Sequence, residues 1–148
     1  MLYWLANVVF YGVGEEVGWR GFALPRLQPR ASALRASLEL ALIWAGWHAP
    51  LFVFSPGLSE LGLPGTIGWL VSLGLGSILL TWLFNSSGGS IAAVALFHGA
   101  LDVFMSPVAP ELQSVMGALL TIGTLLLIPV FGGENLARRP RIVEPDTA

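Results

Sequence analysis

The chain is built from five apolar stretches separated by short polar turns, at about residues 2–24, 36–54, 66–84, 90–105 and 112–131. Each stretch approaches the roughly 20 apolar residues that a helix needs to cross a bilayer. Only 11% of the residues are charged, against about 25% in an ordinary soluble domain. The mean hydropathy is +0.75. So few charged side chains cannot cover a soluble globule, and the sequence predicts an all-α, polytopic membrane protein with about five transmembrane helices.

The domain organisation is simple. Residues 1–131 form one predicted transmembrane domain, and residues 132–148 form a polar tail predicted to be disordered in the cytoplasm. A formal net charge of −2 does not favour a nucleic-acid partner, and the absence of cysteine excludes a thiolate metal site or a cysteine nucleophile. The lipid bilayer is therefore the first predicted partner, and the oligomeric state is left open.

The arginines indicate how the spans are oriented, since the chain has seven arginines and no lysine. Successive spans cross the membrane in opposite directions. If the 25–35 loop faces one side, the 85–89 turn and the tail therefore lie on that same side. Six arginines then lie on this side, and none lies in the opposite loops, 55–65 and 107–111. Positive charge is concentrated in cytoplasmic loops. The sequence thus predicts a multi-pass cell-membrane protein with a cytoplasmic C-terminus.

Small residues recur at a spacing typical of helix packing in lipid. Gly14 and Gly18 are four residues apart, as are Gly68, Ser72 and Gly76. Such residues let helix backbones approach closely. We therefore expect them to lie at helix–helix contacts, with no chemical role.

Ionisable side chains inside the predicted spans are the strongest indication of function. Six residues stand out: Glu15, Glu16, Arg20, His48, His98 and Asp102. A charge at the bilayer centre costs roughly 2.5–3.5 kcal/mol on insertion scales, so these groups must face a protein interior or a water-filled cavity. At a rise of about 1.5 Å per residue, four of them fall about 12–18 Å from the cytoplasmic helix ends. This shared depth predicts one site.

The two adjacent glutamates are expected to have different roles. Glu16 and Arg20 are separated by four residues, the favourable order for an ion pair on a helix. Their pairing would fix one helix face as structural support and leave Glu15 without a local partner. A carboxylate in that position is suited to act as a general base. The alternative is that all three residues form one buried structural cluster.

Two chemistries are compatible with these groups. In the first, Glu15 and His48 polarise a water that attacks a carbonyl, while His98 and Asp102 steady the oxyanion. In the second, Glu15, His48 and His98 bind a catalytic zinc that keeps one open coordination position. Asp102 is then a fourth ligand or a hydrogen-bond partner of one of the three ligands. The sequence contains neither the H-E-x-x-H zinc motif nor the G-x-S-x-G motif of serine hydrolases.

Three motifs in chain order resemble those of the CAAX protease and bacteriocin-processing family (the CPBP or Abi family), which includes the type II CAAX prenyl endopeptidases. They read E-E-V-G-W-R at 15–20, W-A-G-W-H at 44–48 and H-G-A-L-D at 98–102. The family patterns are E-E-x-x-x-R, F-x-x-x-H and H-x-x-x-N/D. Trp44 replaces the usual Phe, a change expected to preserve packing. Asp102 stands where the prenyl endopeptidases have Asn.

The resemblance implies an intramembrane endopeptidase in which Glu15 and His48 activate water and His98 and Asp102 form the oxyanion site. An ionised Asp102 would repel an oxyanion, so the resemblance implies that it is protonated, orients His98 or binds a metal. The implied substrate is a prenylated CAAX-type C-terminus, a bacteriocin leader or another membrane peptide, and the implied source is bacterial. Family members usually carry further helices before the first motif, which implies a shortened or minimal version here.

Two other functions remain open at this point. One is a non-catalytic bacteriocin-immunity or scaffold protein that retains the motifs as structure. The other is a proton- or ion-coupled transporter, because intramembrane Glu, Asp and His also form proton relays. Transporters usually contain more spans or an inverted repeat, and the sequence shows neither.

Overall fold

The computed structural model describes residues 2–104 and 110–144, with side chains omitted at 110–112, and every regular element in that part is helical. Helix α1 covers residues 2–27 as consecutive segments: Leu2–Asn7, Val8–Val13, Gly14–Gly18, Trp19–Ala23 and Leu24–Leu27. It is followed by α2 (Ala33–His48), α3 (Leu51–Phe54), α4 (Pro56–Ser59), α5 (Gly62–Ser86), α6 (Ile91–Phe104) and α7 (Pro110–Phe131). The predicted all-α class is confirmed.

In the described part of the chain, two helices are long and apolar enough to cross a membrane, Gly62–Ser86 and Gln113–Phe131, and Ile91–Phe104 is a shorter apolar helix. The second predicted span, 36–54, is divided, because α2 ends at His48 and the chain turns before α3. Pro50 at this turn has no backbone N–H to donate to the helix ladder. These two helices are consistent with a membrane protein, whereas the number of five transmembrane helices stays a prediction.

Helix α1 is unusual because two of its segments, Val8–Val13 and Trp19–Ala23, are π-helical. They flank the short α-helical segment Gly14–Gly18, which carries both glutamates of the first motif. π-Helical turns are rare and frequently occur at functional sites. The two carboxylates therefore lie on a short segment between two wider turns.

Helices α1 and α6 cross with their backbones in close contact, and glycine makes this possible. A Cβ atom at Gly12 would lie 2.2 Å from the backbone oxygen of Ala95, and one at Gly99 would lie 2.6 Å from Cα of Val8. Small residues allow such backbone contact in membrane helices. The expected role of Gly14 and Gly18 in packing is wrong for Gly18, which has open space around it, as do Gly68 and Gly76.

The hydrophobic core lies where α1, α2, α5 and α6 meet. Its fully or nearly fully buried members are Leu24, Ala36, Leu40, Trp44, Leu80, Phe84 and Val94. Each of the four helices therefore contributes apolar side chains to a single cluster. This core fixes the relative positions of the three helices that carry the sequence motifs.

The polar tail is packed against the helices over residues 132–144, which differs from the disorder expected for residues 132–148. Gln28 and Asn85 are fully buried and bond through their side-chain amides, with 2.8 Å from Asn85 Nδ2 to Gln28 Oε1. Asn85 also donates to the backbone oxygen of Asn135 at 2.9 Å. Leu136 is fully buried beside Ala33 and Ile78. This burial offsets the entropy lost on ordering the tail; residues 145–148 lie outside the described part.

These contacts also bring together the three segments that the arginine pattern predicts to share one side. The 25–35 loop, the 85–89 turn and the tail meet at one end of the helical bundle, around Gln28 and Asn85. Arg26 and Glu144 form an ion pair at the same end. The grouping agrees with the predicted alternation of the spans.

Candidate active site

The four residues predicted to carry chemistry line a single cavity of about 620 Å³. Glu15 comes from α1, His48 from α2, and His98 and Asp102 from α6. Aromatic side chains form much of the remaining wall, among them Tyr3, Tyr11, Trp44, Trp47 and Trp69. The three motifs, distant in sequence, therefore contribute to one site.

Glu15 is held at this cavity by two indole groups. Its Oε2 accepts a hydrogen bond of 2.7 Å from Nε1 of Trp44 and one of 3.2 Å from Nε1 of Trp19. The expectation that Glu15 has no local partner is wrong, because Trp19 lies one helical turn further along α1. Both donors are neutral indole groups, so these two hydrogen bonds hold the carboxylate without forming an ion pair.

Glu16 lies on a different face of α1 and is completely buried. Its Oε1 accepts hydrogen bonds from Arg20 Nη1 at 2.9 Å and from His98 Nδ1 at 2.7 Å. The predicted pairing of Glu16 with Arg20 is present, with both side chains 0% exposed. The bond to His98 is an addition that the sequence did not predict, and it links the first motif to the third.

Arg20 connects the contact between Glu16 on α1 and His98 on α6 to two further helices, α5 and α2. Its Nη2 lies 3.4 Å from both the backbone oxygen and the hydroxyl of Ser77 on α5. Ser77 in turn donates at 2.7 Å to the backbone oxygen of Ser37 on α2. The guanidinium carbon also lies 5.1 Å from the ring centre of Trp44, within the range of a cation–π interaction. Arg20 and Glu16 thus tie together the four helices around the cavity.

The orientation of His48 follows from its hydrogen bond. Nδ1 lies 2.8 Å from the backbone oxygen of Trp44. A carbonyl oxygen can only accept, so Nδ1 donates this bond, and the neutral tautomer that fits it has its lone pair on Nε2. The ring is also held edge-to-face by Trp47 and Trp69, with ring centres 5.0 and 5.6 Å away.

His98 and Asp102 lie on the same face of α6, as their spacing predicts. Nδ1 of His98 is engaged by Glu16, and Nε2 lies 3.8 Å from Oδ1 of Asp102. This separation is too long for a direct hydrogen bond, although it leaves the two groups close enough to contact one bridging molecule. The side chain of Asp102 is 35% exposed, whereas that of His98 is 7% exposed.

Comparisons with known proteins agree with the motifs. The family model described as type II CAAX prenyl endopeptidase Rce1-like matches residues 1–104, which include all of the cavity residues named above. The chain belongs to this Rce1-like family. A CAAX prenyl protease 2 from Methanococcus maripaludis is 33% identical over 93 residues, which cover 60% of this chain and 34% of that protein. The chain thus matches about a third of the length of this relative. No solved structure matches the chain.

The zinc hypothesis can be compared with the geometry of this Rce1-like site. Within residues 2–104 and 110–144, no group of three or more His, Cys, Asp or Glu side chains is arranged to hold a metal ion. Glu15 Oε2 and the Nδ1 atoms of His48 and His98 are already engaged in hydrogen bonds. Hydrogen bonds at Nδ1 leave Nε2 of each histidine facing the cavity, which is also how metal-binding histidines are oriented, so zinc at this site stays a prediction.

Sequence reasoning missed the tryptophans as polar partners. Trp19 stands at the same four-residue spacing from Glu15 that identified Arg20 as the partner of Glu16, so an equivalent signal was present. Trp44 was expected only to preserve the packing of the Phe in the Rce1-like motif, but its indole N–H bonds Glu15. No spacing rule connects Trp44 to Glu15, since the two residues are on different helices.

Proposed function

We propose that this chain acts as an intramembrane endopeptidase that hydrolyses a peptide bond with a water activated by Glu15 and His48. The observation that carries the proposal is that Glu15, His48, His98 and Asp102 line one cavity. Glu16 is committed to Arg20 and His98 by buried hydrogen bonds, so Glu15 is the carboxylate of the first motif that is available to a substrate.

In the first step, a water molecule bound in the cavity contacts Oε1 of Glu15 and Nε2 of His48. Oε2 of Glu15 is occupied by two indole donors, and the protonated Nδ1 of His48 leaves Nε2 as an acceptor. Glu15 takes one proton from the water while the oxygen attacks the carbonyl carbon of the peptide. General-base assistance of this kind contributes about 10²–10⁴-fold to a rate.

In the second step, the electron pair of the carbonyl double bond moves onto the peptide oxygen, which faces His98. With Nδ1 directed to Glu16, a protonated Nε2 of His98 donates to this oxyanion, and a neutral, protonated Asp102 adds a second donor. Donors placed in advance around a developing oxyanion are a large source of catalysis. The intermediate then collapses, the C–N bond breaks, and the proton on Glu15 passes to the departing amine.

The substrate class that we propose is a prenylated CAAX-type C-terminus, in keeping with the name of the Methanococcus maripaludis relative. The aromatic side chains on the cavity wall support this choice, since they offer an apolar surface to a lipid-modified peptide. A bacteriocin leader or another membrane peptide would use the same hydrolytic groups.

We also propose that the chain is a multi-pass protein of the cell membrane with its C-terminus in the cytoplasm. The 25–35 loop, the 85–89 turn and the tail lie at one end of the bundle, and six arginines belong to this end in the sequence. The cytoplasmic side of a membrane protein is enriched in such residues. A substrate whose C-terminus is prenylated in the cytoplasm would approach from that side.

The proposal is tested by incubating the purified chain in lipid nanodiscs with a farnesylated peptide and its unmodified counterpart. We expect cleavage of the farnesylated peptide at one bond, with one ¹⁸O atom from labelled water in the new carboxylate. Faster cleavage of the unmodified peptide would overturn the substrate class and keep the hydrolytic activity. A folded chain that cleaves neither peptide would contradict the enzyme and favour the non-catalytic immunity or scaffold function.

A further inference from the structure

We propose that Trp44 is a positioning residue that aligns both water-activating groups, Glu15 through its indole N–H and His48 through its backbone carbonyl. The inference rests on the proposed function and adds a role for a residue that departs from the family motif. A Phe at this position, as in F-x-x-x-H, fills similar space but has no hydrogen to donate.

The contact between Trp44 and Glu15 has the geometry of a strong hydrogen bond. Nε1 lies 2.7 Å from Oε2, shorter than the 3.2 Å contact that Trp19 makes with the same oxygen. Bonds from a neutral donor to a carboxylate are shorter and stronger than bonds between neutral groups. Because both indoles occupy Oε2, the carboxylate plane is fixed and Oε1 is the oxygen left to take a proton from water.

Trp44 can impose this orientation because its own ring is held in place. The residue is only 5% exposed and belongs to the hydrophobic core. The ring of His98 packs against it edge-to-face at 5.4 Å, and the guanidinium of Arg20 lies 5.1 Å from its centre. An indole packed on both sides cannot turn away from Glu15 without disturbing the core.

The same residue also holds the second member of the water-activating pair. The backbone oxygen of Trp44 accepts the Nδ1–H of His48 at 2.8 Å, which selects the tautomer with an unprotonated Nε2. Glu15 and His48 come from different helices, and Trp44 contacts both. Its position therefore fixes the direction from which the two groups approach a shared water.

The test compares Trp44→Phe with Trp82→Phe in the 148-residue chain. Both variants remove one indole N–H, but Trp82 packs against Phe131, and its N–H has no partner among the described residues. We expect Trp44→Phe to lower kcat about 10- to 100-fold with KM changed less than about threefold, as for loss of a hydrogen bond to a charged group. Trp82→Phe should stay within about twofold of wild type, since it lies outside the cavity.

A spectroscopic measurement separates this inference from the proposed activity. In ¹⁵N-tryptophan-labelled protein in micelles, the indole N–H signal that Trp44→Phe removes should shift markedly in Glu15→Ala, whereas the signal of Trp82 should not move. An unshifted Trp44 signal, or a Trp44→Phe variant with wild-type kcat, overturns the inference. A wild-type chain that cleaves no peptide overturns the proposed function. If the Trp44 indole signal still shifts in Glu15→Ala in that case, the role of Trp44 is limited to a structural contact.

Discussion

Replacement of Glu16 by Gln should destabilise the fold far more than the loss of an ordinary surface ion pair. Glu16 and Arg20 are both 0% exposed, and the same carboxylate oxygen of Glu16 also accepts from His98. Removing one member of a buried pair leaves the other charge uncompensated, which costs roughly 3–5 kcal/mol. The hydrogen bonds of Arg20 to Ser77 compensate little, since both are 3.4 Å long.

The matched control is Glu39→Gln. Glu39 also pairs with an arginine one helical turn away, Arg35, at 2.8 Å, but the two side chains are 38% and 74% exposed. Exposed pairs at this spacing contribute about 0.3–0.5 kcal/mol. The free energy of unfolding of both variants is measured by denaturant titration in the same detergent, so differences in the micelle cancel.

A further variant distinguishes an unpaired charge from a simple loss of packing. Replacing Glu16 by Leu and Arg20 by Met together removes both charges, and buried pairs replaced by apolar residues are often neutral in stability. The double variant should therefore unfold less easily than Glu16→Gln. If Glu16→Gln costs no more than Glu39→Gln, the reasoning that the buried pair ties the helices together is refuted.

Three further predictions concern packing, orientation and metal. Gly12→Ala should cost about 1–3 kcal/mol in the free energy of unfolding because its Cβ would overlap a backbone oxygen of α6. Gly18→Ala should be neutral or stabilising, since there is open space around Gly18. Equal effects of the two substitutions would contradict the close crossing of α1 and α6. Accessibility tags placed after Arg30 and after Ala148 should be labelled from the same side, and a tag after Glu60 from the opposite side; a tag after Ala148 that behaves like the one after Glu60 would contradict the topology. Protein stripped of metal by chelation should keep its peptidase activity, and near-stoichiometric zinc lost together with activity would establish the metal-dependent alternative.

The general outline of the fold and site was predictable from local sequence patterns. The apolar stretches identify helices because a span needs a continuous run of apolar residues. The pairing of Glu16 with Arg20 follows from helical spacing, and the cost of placing Glu15 and His48 inside a span predicts a shared cavity. Each of these inferences uses either the residue spacing within one helix or the free-energy cost of burying a charged side chain in the membrane.

The features that were missed depend on contacts between distant segments. Trp44 bonds Glu15 across 29 positions of the chain, and no periodicity in either helix encodes that contact. Docking of the tail depends on Asn85 reaching Asn135, in a segment whose composition alone favoured disorder. The crossing at Gly12 depends on the partner backbone, so the four-residue spacing at Gly14 and Gly18 was a poor guide.

The most direct test of the account is the turnover of Glu15→Gln per folded molecule. Gln preserves the size of the side chain and an oxygen that can accept from the indole groups, but it cannot take a proton from water. We expect wild-type stability and a loss of about 10²–10⁴-fold in kcat, the usual contribution of a general base. A folded Glu15→Gln variant that cleaves the peptide at a rate near that of wild type would contradict the assignment of Glu15 as the base.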